Sequence, residues 1–184
     1  VPKLERALSE VGGAEHVVVF NNATNALFAA ILASGASVVA SPTLTFSAIA
    51  NAAYFARARL VLCDVRLDTL TADWGTFPKI KGDAPLIVPM DYAGLVDYEY
   101  SETDTVLRDA CHSFGGLCEC GLRPTELDLM AVVSFHPAKV IAAGEGGAVF
   151  TNDAALAREL RSVRDNWRYP ELPRTQTRYG LNFH

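Results

Sequence analysis

The sequence predicts an α/β fold: a mixed, mostly parallel seven-stranded sheet with helices on both faces. Two observations predict it. Seven short apolar runs recur along the 184 residues, and segments of helical length separate several of them. Nearly continuous apolar strands are what a sheet covered on both faces requires, whereas a half-exposed sheet would alternate.

In chain order, the N-terminal stretch VPKLERALSE is an amphipathic helix bearing charges. HVVVF (16–20) is the first strand, and a helix is expected over 24–33. SVVASP (37–42) is the second strand. FSAIANAAYFA (46–56) is helical, with alanines and aromatics spaced for one buried face. RLVLCDV (59–65), PLIVPMD (85–91), TVLRDA (105–110), MAVVSF (130–135) and GGAVFTN (146–152) complete the strands. A last helix over 153–167 takes Asp153 as its N-cap. The connection from Gly94 to Val106 is short for a parallel crossover.

The composition suits one domain with a core. Half the residues are hydrophobic, 20% are charged, and the net charge is -5. Basic residues are scattered, which argues against a nucleic-acid stripe. No apolar run spans a bilayer, and no signal peptide is visible, so a cytoplasmic protein is expected. Of four cysteines, Cys63 reads as a core residue. Cys111, Cys118 and Cys120 with His112 match no common zinc spacing, so no metal and free thiols in a reducing compartment are expected.

Polar or small residues occupy the strand exits, where ligands sit in open α/β sheets. NNATNAL follows the first strand, PTLTF the second, MDYAG the fourth, DACHSFGG the fifth and SFHPAK the sixth. Each has an ordinary reading by itself. Asn22 or Thr24 could simply cap a helix, Asp109 could cap or pair, His112 and Lys139 could be surface residues, and Phe46 could be core. Taken together they describe a pyridoxal phosphate pocket. A helix start supplies amides and a hydroxyl for a phosphate. A carboxylate holds a pyridine nitrogen protonated. An aromatic stacks on the ring, and a lysine amine condenses with the aldehyde.

The order NNATNAL, PTLTFSAIANA, DYAG, DACHSFG and SFHPAK, followed by GEGGAVFTND, resembles the DegT/DnrJ/StrS family of sugar-nucleotide aminotransferases, which share the type I aspartate-aminotransferase fold. Within it the likeness is greatest to enzymes that aminate a UDP-4-keto sugar on the way to pseudaminic acid. The resemblance implies that Lys139 is the Schiff-base lysine and proton carrier. It implies that Asp109 partners the pyridine nitrogen, with His112 beside the ring near its phenolic oxygen. Phe46 would stack, Ala23, Thr24 and Ser134 would hold the phosphate, and Asn182 would reach a phosphate across the interface of an obligate homodimer with shared active sites. Glutamate would donate the amino group and a keto-sugar nucleotide would receive it. A lysine at 139, where a dehydratase branch carries histidine, favours amino transfer over sugar dehydration. A non-catalytic, dimerising relative is the other alternative. Residues 1–184 would be the cofactor-binding large domain without a C-terminal small domain. The sequence departs from the family pattern at His184, where arginine is usual, and at VRDNW, where R-S-H-G is common.

Overall fold

The computed structural model describes residues 1–78, 84–98, 100 and 105–166. The seven expected strands are all present: β1 (His16–Phe20), β2 (Val38–Pro42), β3 (Arg59–Cys63), β4 (Leu86–Ile87), β5 (Thr105–Asp109), β6 (Met130–Ser134) and β7 (Gly147–Thr151). Their order in the sheet is β1-β7-β6-β5-β4-β2-β3. Strand β7 runs antiparallel to β1 and β6, and the other pairings are parallel. This is the mixed, mostly parallel sheet that the apolar runs imply.

The described helices are α1 (Pro2–Gly12), α2 (Ala23–Ser34), α3 (Ala48–Phe55) and α4 (Ala154–Arg164). Strand alternation sorts the core into two layers. Val18, Leu107, Val132 and Val149 point to the side where α2, α3 and α4 pack. Val17, Ala131, Val133, Ala148 and Phe150 point to the other side, against Leu8 of α1 and Phe114. Helix α4 starts where Asp153 accepts hydrogen bonds from the amides of Ala155 and Leu156 at 2.8 and 3.0 Å, so the expected cap is present.

Three expectations change. The run 85–91 is regular only at Leu86–Ile87, because Pro85 and Pro89 cannot donate to a ladder. Pairing resumes as a single bridge between Met90 and Asp109. In α3 the buried face is Ala48, Ile49, Ala52 and Ala53, while Tyr54 and Phe55 are exposed. Small residues let α3 lie close to α2, and the exposed Phe55 ring meets Phe28 of α2 edge-on, with centroids 6.5 Å apart. Cys118 and Cys120 are joined in a disulfide across Glu119, so the free-thiol expectation holds for Cys63 and Cys111 alone.

Candidate active site

All strands except β7 end at one edge of the sheet, and β7 begins there. The turn after β1 leads straight into α2. Asn22 caps it, its side chain accepting from the Asn25 amide at 2.8 Å. Ala23 and Thr24 open the helix, so their amides have no carbonyl partner within it. The start of β7 presses against this turn. A Cβ on Gly147 would lie 2.5 Å from the Ala23 nitrogen, so only glycine fits.

Lys139 lies on the loop between β6 and β7, which is pinned at its base. The Phe135 amide donates to the Gly146 carbonyl at 2.9 Å, and the Ala143 amide donates to the Phe135 carbonyl at 3.0 Å. The Lys139 amide donates to the His136 carbonyl at 2.9 Å, closing a tight turn beneath the side chain.

These elements enclose a cavity of about 290 Å³. Six residues expected from the sequence line it: Ala23, Thr24, Phe46, Asp109, Ser134 and Lys139. His112 stands beside it, with Nε2 2.7 Å from Lys139 Nζ and Nδ1 accepting from the Ala93 amide at 3.2 Å. Phe46 is 67% exposed, so it belongs to the mouth of the cavity and not to the core. Asn182 lies outside the described residues. The sequence reading missed Met90, Cys111, His136 and Glu145, which also line the cavity. Their signal was position, since each follows a strand exit or flanks a residue already singled out.

Asp109 is the electrostatic centre. It is buried, and its Oδ1 accepts from the Cys111 amide at 3.2 Å. Burial raises its pKa, while the Cys111 hydrogen bonds and the charges of Lys139 and His112 work the other way. Lys139 and Asp109 therefore share one cavity and sense each other's charge. For His112, burial first and then the charge of Lys139 favour the neutral imidazole, against the pull of Asp109. Burial, then Asp109, pushes the Cys111 thiol well up, which makes it a wall and not a nucleophile.

Behind the site lies an ionic cluster that the sequence reading did not foresee. Arg108, next to Asp109 on β5, is fully buried. It donates to Asp91 Oδ1 at 2.5 Å, Asp128 Oδ2 at 2.6 Å, the Asp97 carbonyl at 2.9 Å and the Tyr100 hydroxyl. Burial by itself would lower the arginine's pKa, but Asp91 and Asp128 more than offset it and hold the charge in place. Burial pushes the Asp91 carboxyl up to about 6, against Arg108 and Ser113. The cue in the sequence was an arginine inside an apolar strand, because a buried charge needs partners.

The arrangement can hold an anion at the start of α2, a protonated ring nitrogen at Asp109 and a carbonyl compound at Lys139. Comparison with known proteins agrees in kind. The chain is 32% identical, over 90% of its length and 47% of the relative's, to a UDP-4-amino-4,6-dideoxy-N-acetyl-beta-L-altrosamine transaminase of Campylobacter jejuni subsp. jejuni serotype O:2. Among solved structures it matches DesI, determined in the presence of its TDP-sugar product, with a TM-score of 0.84 and 26% identity. That match covers 100% of this chain and 48% of DesI. It also matches Helicobacter pylori PseC, an aminotransferase of pseudoaminic acid biosynthesis, with a TM-score of 0.82 and 26% identity over 99% of this chain and 53% of PseC. The chain thus spans about half the length of the curated relatives it matches. The profile of the DegT/DnrJ/EryC1/StrS aminotransferase family matches residues 1–181, and the chain belongs to that family.

Proposed function

We propose that this chain binds pyridoxal 5'-phosphate and carries the cofactor chemistry of an aminotransferase that moves an amino group from glutamate to a keto-sugar nucleotide, specifically a UDP-4-keto-6-deoxy sugar. One observation carries the reading: a lysine amine, a buried carboxylate and a helix start line a single cavity. The donor set fits the cofactor. The amides of Ala23 and Thr24 with the Thr24 and Ser134 hydroxyls suit a phosphate. Phe46 offers a ring face at the cavity mouth.

When bound, the cofactor supplies an electron sink for the carbon that bears the amino group. The protein's part is to bind, orient and move protons. Asp109 holds a proton on the ring nitrogen by charge, in a site whose burial strengthens that attraction. Lys139 Nζ offers the lone pair that anchors the cofactor, and once released it takes and returns the α-proton as general base. His112 sits within hydrogen-bond distance of that nitrogen. Residues 1–184 act as the cofactor-binding large domain within this scheme.

A homodimer with shared sites, with Asn182 reaching a partner's phosphate, belongs to the same reading. The exposed ring of Phe46 at the cavity mouth supports it, since a second copy would cover it. The reading places the protein in the cytoplasm. Among the described residues no helix is long and apolar enough to cross a membrane. A thiol count on freshly isolated protein sets that compartment against the Cys118–Cys120 bond.

The test is spectroscopic. Mixing the protein with pyridoxal phosphate should give a visible band, borohydride should fix the cofactor on Lys139, and glutamate should bleach the unreduced band. Label on another lysine, or no band at all, sinks the proposal. A band that no amino donor moves would leave cofactor binding without amino transfer.

A further inference from the structure

The DYAG turn has a role that its distance from the lysine loop conceals. Ala93 carries a positive φ of 55°, uncommon for a residue with a side chain. The turn is closed by the Gly94 amide on the Asp91 carbonyl at 3.0 Å and by the Leu95 amide on the Tyr92 carbonyl at 3.0 Å. In this conformation the Ala93 amide points at His112 Nδ1. Three further contacts keep the pair together. Ser113, the residue after His112, donates to Asp91 Oδ2 at 2.5 Å, and Arg108 holds Asp91 Oδ1. The Tyr92 ring meets the imidazole edge-on, with centroids 5.8 Å apart.

An amide nitrogen only donates, so Nδ1 must present a lone pair. A neutral imidazole with a bare Nδ1 carries its proton on Nε2. We propose that the Ala93 backbone amide sets the tautomer of His112, so that the imidazole turns an N–H donor, at Nε2, toward Lys139 and the cavity. At 2.7 Å from Nζ, one of the two nitrogens must offer the lone pair; an ammonium would ask it of Nε2, so the Ala93 amide and an Nε2–H donor are satisfied together only when Nζ presents its own lone pair, the form in which the amine condenses with a carbonyl. Once the amine is engaged by the cofactor, the same N–H is free to meet an anionic oxygen on the ring. Among the described residues, the groups facing His112 are Lys139, Asp109 and the Tyr92 ring, and none of them is hydrogen-bonded to Nδ1. His136 repeats the device independently, its Nδ1 accepting from the Ala138 amide at 3.1 Å. Ala93 is thus a positioning residue that acts through its backbone, and this rests on the cofactor reading above for its purpose but not for its geometry.

The test begins on the full chain without cofactor. Long-range proton–nitrogen correlation spectra of the histidine rings, taken well above the histidine pKa, report which nitrogen is protonated. The resonance lost in H112Q identifies His112. A bare, pyridine-like Nδ1 with the proton on Nε2 is expected, as for His136. A proton on Nδ1, or a fast-averaging mixture of tautomers, overturns the proposal. Cofactor affinity supplies the second readout. H112Q places an amide N–H near the Nε2 position and should bind pyridoxal phosphate within about twofold of the natural protein. H112M fills the space without a donor and should bind roughly tenfold more weakly. Equal affinity in the two variants overturns the donor role. An Nε2-protonated His112 in a protein that takes up no pyridoxal phosphate would support the tautomer assignment and sink the cofactor reading instead.

Discussion

Arg108 and Asp109 are neighbours on one strand, and they open onto opposite faces of the sheet. On the Arg108 side, charge is sealed in. The guanidinium meets Asp91, Asp128, Tyr100 and the Asp97 carbonyl, and Asp91 takes a further bond from Ser113. On the Asp109 side, charge is left partly unanswered. That carboxylate has the Cys111 amide and thiol, a lysine sharing its cavity, and space. The same residue types do two different jobs. A buried acid whose oxygens are all engaged is architecture, because nothing further can bind it without breaking something. A buried acid with spare acceptor capacity beside a cavity is held ready for a ligand.

The sharpest way to break this comparison is Asp109→Asn. Turnover by an active preparation should fall by about 10³-fold, since the amide cannot hold a proton on a ring nitrogen. Its melting temperature should equal or exceed the parent's, because the substitution removes a buried charge whose pKa burial has raised. A large drop in stability would show that Asp109 is structural after all. On the other face the pattern should invert. Arg108→Met leaves Asp91 and Asp128 without their cation and should cost about 3–5 kcal/mol in denaturant unfolding. A loss below about 1 kcal/mol would mean that the cluster is not sealed.

Acidity sharpens the contrast further. The folded pKa of Asp91 lies near 6, above the unfolded carboxylate value, so the folded state binds the extra proton. Its contribution to stability is therefore full below the unfolded pKa and is lost as pH rises through about 6. The stability deficit of Asp91→Asn should shrink by roughly 2 kcal/mol between about pH 4 and pH 7. Unfolding curves at intervals across that range would show it, and a deficit that widens with pH would contradict the assignment. The smallest effect belongs to the helix start. Asn22→Ala removes the cap on α2 and should cost about 1 kcal/mol.

Much of the sheet was legible because each strand is a single apolar run, and covered strands announce themselves that way. The run PLIVPMD misled because its apolar character is real while its two prolines shorten the ladder. The aromatics of α3 misled for another reason. Period alone does not say whether a face buries its rings or its alanines, and here close packing on α2 chose the alanines. The candidate site was legible as a series of strand exits, since a parallel sheet gathers them at one edge. The Arg108 cluster was not, because its partners at 91, 97 and 100 on the β4–β5 connection and at 128 on the β5–β6 connection are brought together only by the fold. The link from the Ala93 amide to His112 was invisible for the same reason, and because a backbone donor leaves no letter in the sequence.

The contact at Gly147 has a mechanical consequence. With no side chain between them, the entry of β7 and the first turn of α2 rest backbone on backbone. The lysine-bearing loop is anchored to that same entry through Gly146. The base of the lysine loop and the amides suited to an anion are thus joined through the main chain, so the separation of their backbones does not depend on any side chain between them.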